Sequence, residues 1–314
     1  MRRVILCTLL VLSAGILCAQ SESPAAPVST PLPASAPPPE PATAPATPST
    51  LTKEQIKDLV RKVAENDLEN EKRLRDYTYT ERQETHKLDG KGKVKSTESE
   101  TFDVLQIYGE TVQKRVAKND QPLSSKDAAK EDEKIQKIID KRQNESDSDR
   151  EKRIKKEEKE REEGREFVKE VADAYDFSLV GVESIEGRPA WVIDAIPHPG
   201  YVAKRREAKL LSKIVGRFWI DQADRQLVKI DCRVTDTISL GLFLARLHEG
   251  TRIVYEQTRV NDEVWLPRHT AVHVDVRLAL LKNFDQDIDV SDRDYKKFRS
   301  DSRIIGMEST SQQP

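Results

Sequence analysis

Apolar positions along the chain repeat with two periods, and the switch between them divides it. Ile56, Leu59, Val60 and Val63 recur at helical spacing. Thr52 and Gln55 form a T-x-x-Q capping box ahead of them, and Leu51 and Ile56 can close a hydrophobic staple. This predicts a helix over 53–73, clearly buried only in its first half, because Asn66, Asp67 and Asn70 are polar. From Tyr77 the period becomes two. Tyr77 and Tyr79 face one way, Thr78 and Thr80 the other. Strands are expected at 77–88, 94–108 and 111–118. The first two are joined by Asp89-Gly90-Lys91-Gly92, where glycine supplies positive φ at little cost.

Residues 124–175 follow neither scheme fully. Lysine, arginine, glutamate and aspartate alternate there at three- and four-residue spacing, which supports solvated helix. Ile135, Ile138 and Ile139 draw a narrow apolar stripe through the first half, and Phe167, Val168, Val171 and Tyr175 through the second. The run 144–149 has no apolar residue and breaks the two, so a charged helical hairpin inserted between strands is expected. After it the period of two returns at 177–185, 190–196, 217–221, 226–235, 246–247, 251–260, 263–281 and 284–290, with a short helical stretch at 204–214. About ten strands joined by short turns make antiparallel neighbours and an α+β domain. The stretch 238–247 stands out as apolar on both strand faces. It reads as a strand covered on both sides, or as the wall of an apolar cavity or lip.

Composition moves the picture to the cell envelope. Arg2 and Arg3, the apolar run 4–17 and the small residues that follow have the order of a secretory signal peptide, expected at 1–19. Residues 20–50 are a Pro/Ala-rich disordered linker, 51–302 the domain, and 303–314 a disordered tail. Cleavage after Ala19 is the expectation, giving a periplasmic or secreted protein. Lipid anchoring at Cys18 is the alternative, with the bulky Leu17 in the position before it. Charged residues make up 34 % of the chain, yet the net charge is −2 and the signs are mixed, so no overall field would recruit nucleic acid. Cys232 alone remains beyond the export signal, so the mature chain has no intramolecular disulfide.

Candidate chemistry is sparse. His269 and His273 would suit zinc on a helix, but Pro267 and the valine alternation argue for a strand, where four residues span roughly 13 Å. Asp285, Asp287 and Asp289 lack the glycine and glutamate of a calcium loop and read as the wet face of a strand. Cys232 shares a face with Val228, Ile230 and Val234 and reads as a buried, inert thiol. Lys204-Arg205-Arg206 reads as a solvated helix start, with phosphate or lipid head groups as the alternative partner. No nucleophile elbow, zinc-protease helix, phosphate loop or dinucleotide fingerprint occurs, so no catalytic residue, metal or cofactor is assigned.

The phrases Gly216-Arg217-Phe218-Trp219-Ile220-Asp221 with Gln226-Leu227-Val228-Lys229-Ile230, and Gly250-Thr251 leading to Val264-Trp265-Leu266-Pro267, resemble the periplasmic lipoprotein-carrier superfamily (LolA/LolB/RseB-like). The likeness in architecture runs over about 51–302, and the long charged insertion departs from it. The resemblance implies an unclosed antiparallel β-barrel whose concave face is capped by helices and holds acyl chains. It implies a non-catalytic partner for lipid or lipoprotein acyl chains, with Trp191, Trp219, Leu242, Phe243, Leu244, Tyr255 and Trp265 as candidate lining. The competing expectation is an envelope protein-interaction or stress-regulatory module that docks a partner through the charged hairpin.

Overall fold

The computed structural model describes residues 51–205, 207–240, 245–278 and 282–298. The expected signal peptide, linker and tail, and Leu242, Phe243 and Leu244, lie outside the described residues.

Helix α1, Lys53–Leu74, starts where the capping box predicts. Thr52 Oγ1 accepts from the Gln55 backbone N–H at 3.2 Å, and Gln55 Oε1 accepts from the Thr52 N–H at 2.8 Å. Strands β1 (Tyr77–Leu88), β2 (Val94–Ile107), β3 (Glu110–Lys118) and β4 (Gln121–Pro122) follow as consecutive antiparallel neighbours. Helices α2 (Ser125–Gln143) and α3 (Asp147–Ala174) come next, each opened by a serine N-cap, Ser124 and Ser146. Then come β5 (Tyr175–Ile185), β6 (Arg188–Pro197), a 3₁₀ turn (Glu207–Lys213), β7 (Ile214–Asp221) and β8 (Leu227–Val234). The chain ends its described part with β9 (Ile238–Leu240), β10 (Ala245–Leu247), β11 (Arg252–Val260), β12 (Val264–Leu278) and β13 (Lys282–Lys297).

All join one 13-stranded sheet in the order β4-β3-β2-β1-β13-β12-β11-β8-β7-β6-β5, with β9 and β10 attached beside β12. The sheet is antiparallel and open, with β4 and β5 as its edges. The expected α+β class with an unclosed antiparallel sheet is therefore what the chain forms.

Three local expectations change. Strands β4 and β9 span two and three residues, too short to leave a period-two signature. The stretch 204–214 is a 3₁₀ turn over Glu207–Lys213, and Ile214 already belongs to β7. Residues 238–247 are not one strand. β9 and β10 pair with each other, Ile238 opposite Leu247 and Leu240 opposite Ala245.

The topology gives the helical pair a purpose that its sequence did not announce. Strands β1 to β4 step outward from the middle of the sheet to one edge, and β5 begins at the opposite edge. Helices α2 and α3 carry the chain between those edges. They are pinned on the way. Arg142 pairs with Glu110 on β3, Lys114 with Asp132, Arg115 with Glu131, and Arg75 with Glu157. From β5 the chain meanders back until β13 meets β1, so the first and last strands lie side by side in mid-sheet.

Each edge is blunted. Pro122 on β4 has no N–H to offer, and β5 carries a register shift between Leu179 and Gly181. Both devices obstruct pairing with another sheet. The two-residue β3–β4 turn Asn119-Asp120 holds positive φ at both positions, the requirement of a type I′ hairpin that matches strand twist, and Asn261 and Asp262 of the three-residue β11–β12 turn do the same.

The core lies on the inner face. Ile56, Leu59 and Val63 of α1 pack against Ala174, Tyr175, Phe177, Ile193, Ala195, Ile220 and Leu227, with Ala208 and Leu211 of the 3₁₀ turn alongside. Burying each large apolar side chain is worth about 1.5–3 kcal/mol. A second inner cluster joins Ile214, Val234, Ile238, Leu247, Val272, Val274 and Val276. On the outer face of β6 and β7 a small group forms from Ala190, Val192 and Trp219.

Two outcomes check this account. Ile56→Ala should cost about 2–5 kcal/mol in urea-induced unfolding, because the side chain is 2 % exposed beneath the sheet. Replacing 124–175 by a glycine-serine linker should abolish cooperative unfolding, since Phe167, Val171 and Ala174 at the end of α3 leave with it; a sharp transition in that variant would contradict the role given to the crossover.

Candidate functional site

The sequence-based lining residues separate in space. Trp191 on β6 faces inward and packs against the helix-covered core. Its indole nitrogen is buried without a hydrogen-bond partner among the described residues. Tyr255 on β11 faces the same side, opposite Ile230 of β8, and its hydroxyl accepts from Gln257 Nε2 at 3.1 Å. Trp219 lies on the outer face. It is register partner of Val192, donates Nε1 to Glu183 at 2.7 Å and has Lys229 Nζ 5.3 Å from its ring centre. Trp191 and Trp219 come from adjacent strands one register step apart, which puts them on opposite sides of the pleat. Trp265 is held at the end of the sheet. Its Nε1 donates to Asp224 at 2.9 Å, and the Arg188 guanidinium sits 5.5 Å from the ring.

The end of α1 docks by polar contacts. Asn66 Nδ2 donates to the Arg225 carbonyl at 2.9 Å, and Asn70 Oδ1 accepts from the Trp265 backbone N–H at 3.4 Å. Between them, Asp67 Oδ1 accepts from Gln257 Nε2 at 3.1 Å and from Gln226 Nε2 at 3.3 Å. Gln226 and Gln257 are both buried. Asp67 as a residue is half-buried, and desolvation of its carboxyl group pushes its pKa up, against the opposing pull of the two glutamine amides. Gln257 Oε1 faces this group with no partner of its own among the described residues. The three polar residues that limited the expected buried stripe are therefore the fastening of the helix to β8, β11, β12 and the β7–β8 turn.

That turn is itself held by charge. Arg188 donates to both carboxylate oxygens of Asp221, at 2.7 and 2.8 Å. Burial alone would raise the Asp221 pKa; the guanidinium and the backbone N–H groups of Asp224 and Ala223 outweigh it and hold the carboxyl below its ordinary range.

Two openings exist near these elements. A groove of about 160 Å³ between α1 and α3 is lined by Glu65, Leu68, Glu69, Glu71, Lys72, Arg75 and Arg161. Its walls carry both charges, so it favours no ionic class. A cleft of about 20 Å³ lies in the second inner cluster, bordered by Ile214, Cys232, Val234, Leu247, Thr251 and Ile253. At that size it holds about one water. Cys232 is a free thiol, and burial pushes its pKa up to about 12, which leaves it protonated and unreactive at neutral pH. Period-two alternation put Cys232 and Val234 on an apolar face, but it could not show that they border a cleft, because that depends on how Ile214, Leu247 and Ile253 of other strands pack beside them.

Of the basic run at 204–206, Lys204 and Arg205 meet acids of α3, and Arg206 lies outside the described residues. Lys204 Nζ lies 3.4 Å from Asp173, and Arg205 3.8 Å from Glu166. The buried Glu170 accepts from Tyr201 Oη and from the Lys204 backbone N–H, both at 2.6 Å. His269 and His273 both lie on β12, each paired with an aspartate of β13. Among the described residues, no group of three or more His, Cys, Asp or Glu side chains is arranged to hold a metal ion. Among the same residues, no helix is long and apolar enough to cross a membrane.

The architecture is thus an open antiparallel sheet with α1, the end of α3 and the 3₁₀ turn packed on its inner face, and a narrow apolar cleft beside them. No family model matches the chain, and no curated protein matches it. Among solved structures it is similar to a domain described as an outer membrane lipoprotein-sorting protein from Vibrio parahaemolyticus, at 12 % identity over 78 % of this chain and 95 % of that one, with a TM-score of 0.32. It is also similar to a DUF1329 family protein from Desulfovibrio piger, at 10 % identity over 80 % and 95 % of the two chains, TM-score 0.27. A LolA superfamily protein from Nitrosomonas europaea is similar at 9 % identity over 80 % and 95 %, TM-score 0.25.

The Asp67 contact makes a measurable statement. An acid whose folded pKa is raised gives its full stabilisation below its unfolded value, and that is lost as pH rises through the folded value. Asp67→Asn keeps an acceptor for the glutamines and removes the buried charge. It should raise the urea midpoint at pH 7 and flatten the loss of stability between pH 4 and pH 7; a midpoint lowered equally at both pH values would reverse this account.

Proposed function

We propose that the protein is a non-catalytic binding protein of the cell envelope whose ligand is the acyl chain of a lipid or of a lipoprotein, taken up at the strand-lined end of the inner face. One observation carries this reading. Over β5 to β8 the apolar face is filled by α1, whereas among the described residues the cluster on β7 to β12 receives a helical residue only from the 3₁₀ turn, Leu210. There it keeps an apolar cleft between Ile214, Cys232, Val234, Leu247 and Ile253. The signal-like N-terminus supports an envelope address, and the extended linker after it supports a tethered domain.

The lining proposed for this site is therefore Ile214, Val234, Leu247 and Ile253. Trp191 and Tyr255 stand further along the same face. The cleft at rest is smaller than any acyl chain, so uptake must spread Leu247 and Ile253 apart. Ten methylenes moved from water would return on the order of 8 kcal/mol, enough to drive such a local opening. Nothing in the chemistry of the site requires a nucleophile or a general base.

Protein taken directly from its host envelope should carry lipid in native mass spectrometry. After delipidation it should take up a fluorescent fatty acid, and Ile253→Trp, which fills the cleft, should weaken uptake about tenfold or more while keeping the thermal midpoint within a few degrees. A folded, delipidated protein that takes up no fatty acid would end the proposal.

A further inference from the structure

The inner face changes from oily to polar in a direction that runs across the strands. Cys232 of β8 stands opposite Ile253 of β11, Ile253 opposite Val272 of β12, and Val272 opposite Ile288 of β13. Ile288 in turn stands opposite Thr85 of β1, whose partner on β2 is Glu98. Directly opposed residues of antiparallel strands share a face, so these side chains form one row across the sheet. A second row beside it runs from Ile230 through Tyr255, Thr270 and Val290 to Gln83. Both rows start apolar and end polar.

We infer, resting on the acyl-binding reading above, that the two rows form a graded track for one amphiphile. Its acyl chain lies across the strands with the tail at Cys232 and Ile253. An uncharged, hydrogen-bonding head sits on β1 at Gln83 and Thr85.

The spacing of the sheet suits a single chain. Side chains on one face of a strand recur every two residues, about 6.8 Å apart, so neighbouring rows leave a furrow between them. Ile253, Ile288 and Val290 along this furrow are half-buried, which leaves apolar surface for a chain to cover. Four strand spacings of about 4.8 Å separate Cys232 from Thr85, roughly 19 Å in all. An extended hydrocarbon advances about 1.3 Å per carbon, so the furrow accepts about fifteen carbons.

The polar end selects the head. Gln83 Nε2 is 3.5 Å from Thr85 Oγ1, a loose contact that a ligand group can replace. Both residues are half-buried, as is Gln286 of β13 in the next row. The cations beside this end already hold carboxylates: Lys87 lies 2.9 Å from Glu98, and Arg115 lies 2.6 Å from Glu100 and 3.5 Å from Glu131. A carboxylate or phosphate head would compete with Glu98 and Glu100 for those cations. A head with hydroxyl and carbonyl groups instead meets an amide and a hydroxyl, each able to donate and to accept. An acyl glycerol has that chemistry.

Displacement of a fluorescent fatty acid from the delipidated protein tests this, with monoacylglycerols and free fatty acids of graded chain length as competitors. Affinity for the monoacylglycerols should rise about threefold per methylene up to about fifteen carbons and then level off. Near that length the monoacylglycerol should bind about tenfold tighter than the fatty acid of equal length. Gln83→Leu/Thr85→Val, which keeps both side chains close to their original size, should reduce this preference to about twofold or less. If the double variant fails to fold, Thr85→Val alone gives the comparison, and the chain-length series on the unaltered protein stands by itself. An acylglyceryl peptide included as a further competitor separates the two sources of such a head: tighter binding than the monoacylglycerol assigns the track to a lipoprotein, weaker binding to a lipid. Fatty acid that binds while both heads compete equally overturns the track and leaves the cleft as the site. So does a preference undiminished in the β1 variants, or affinity that levels off by about ten carbons. Failure of every probe to bind ends the acyl-binding reading and the track with it.

Discussion

The constraint that organises this molecule is the apolar inner face of a sheet that does not close. An open sheet with one oily side has to find a cover or aggregate. Here α1 lies across the half made by β5 to β8, with Ile56, Leu59 and Val63 inserted among Phe177, Ile193 and Ile220. The helix is kept there by Asn66, Asp67 and Asn70, which reach strand and turn atoms at its far end. The remaining half, on β7 to β12, is closed by its own side chains and by the 3₁₀ turn. The difference between a helix-filled half and a strand-lined half is what separates scaffold from proposed binding site.

Connectivity then explains the charged helices. A sheet that starts at its centre, runs to one edge and resumes at the other needs a long crossover. Residues 124–175 supply that length as two helices rich in paired charges. Most of their surface faces solvent, so i,i+3 and i,i+4 ion pairs are the appropriate filler. Their inward contacts run from Arg115 to Glu131 near the start, through Arg142 to Glu110 and Arg75 to Glu157 along the way, to the apolar packing of Phe167, Val171 and Ala174 at the end.

The outer face is wet but ordered. Asp194 pairs with Arg217, Arg217 stands opposite Asp231, and Asp231 takes both donors of Arg252. Arg252 stands opposite His273, which passes the pattern to Asp287 and His86. Cross-strand pairs of opposite charge stabilise a sheet by modest amounts each. Toward β12, β13 and β1 histidines take the places that arginines hold in this pattern.

Much of the architecture was legible from residue order. Period and caps located α1, the long strands, and the helical pair with its break near 144, because those features arise from local backbone preference and from one-sided burial. Cys232 was placed on the apolar face by alternation alone. What alternation cannot convey is which face of one strand meets which face of another. Hence Trp191 and Trp219, equally attractive as lining residues in the sequence, stand on opposite sides of the sheet. Polar residues at 66, 67 and 70 looked like an exposed helix end, and only the approach of Arg225, Gln226, Gln257 and Trp265 makes them a fastening. The sequence by itself determined the kind of each element and its oily side. Tertiary structure alone decided that β1 would meet β13, that the helices would span the two edges, and where a cleft would remain, since these depend on pairing between residues far apart in the chain.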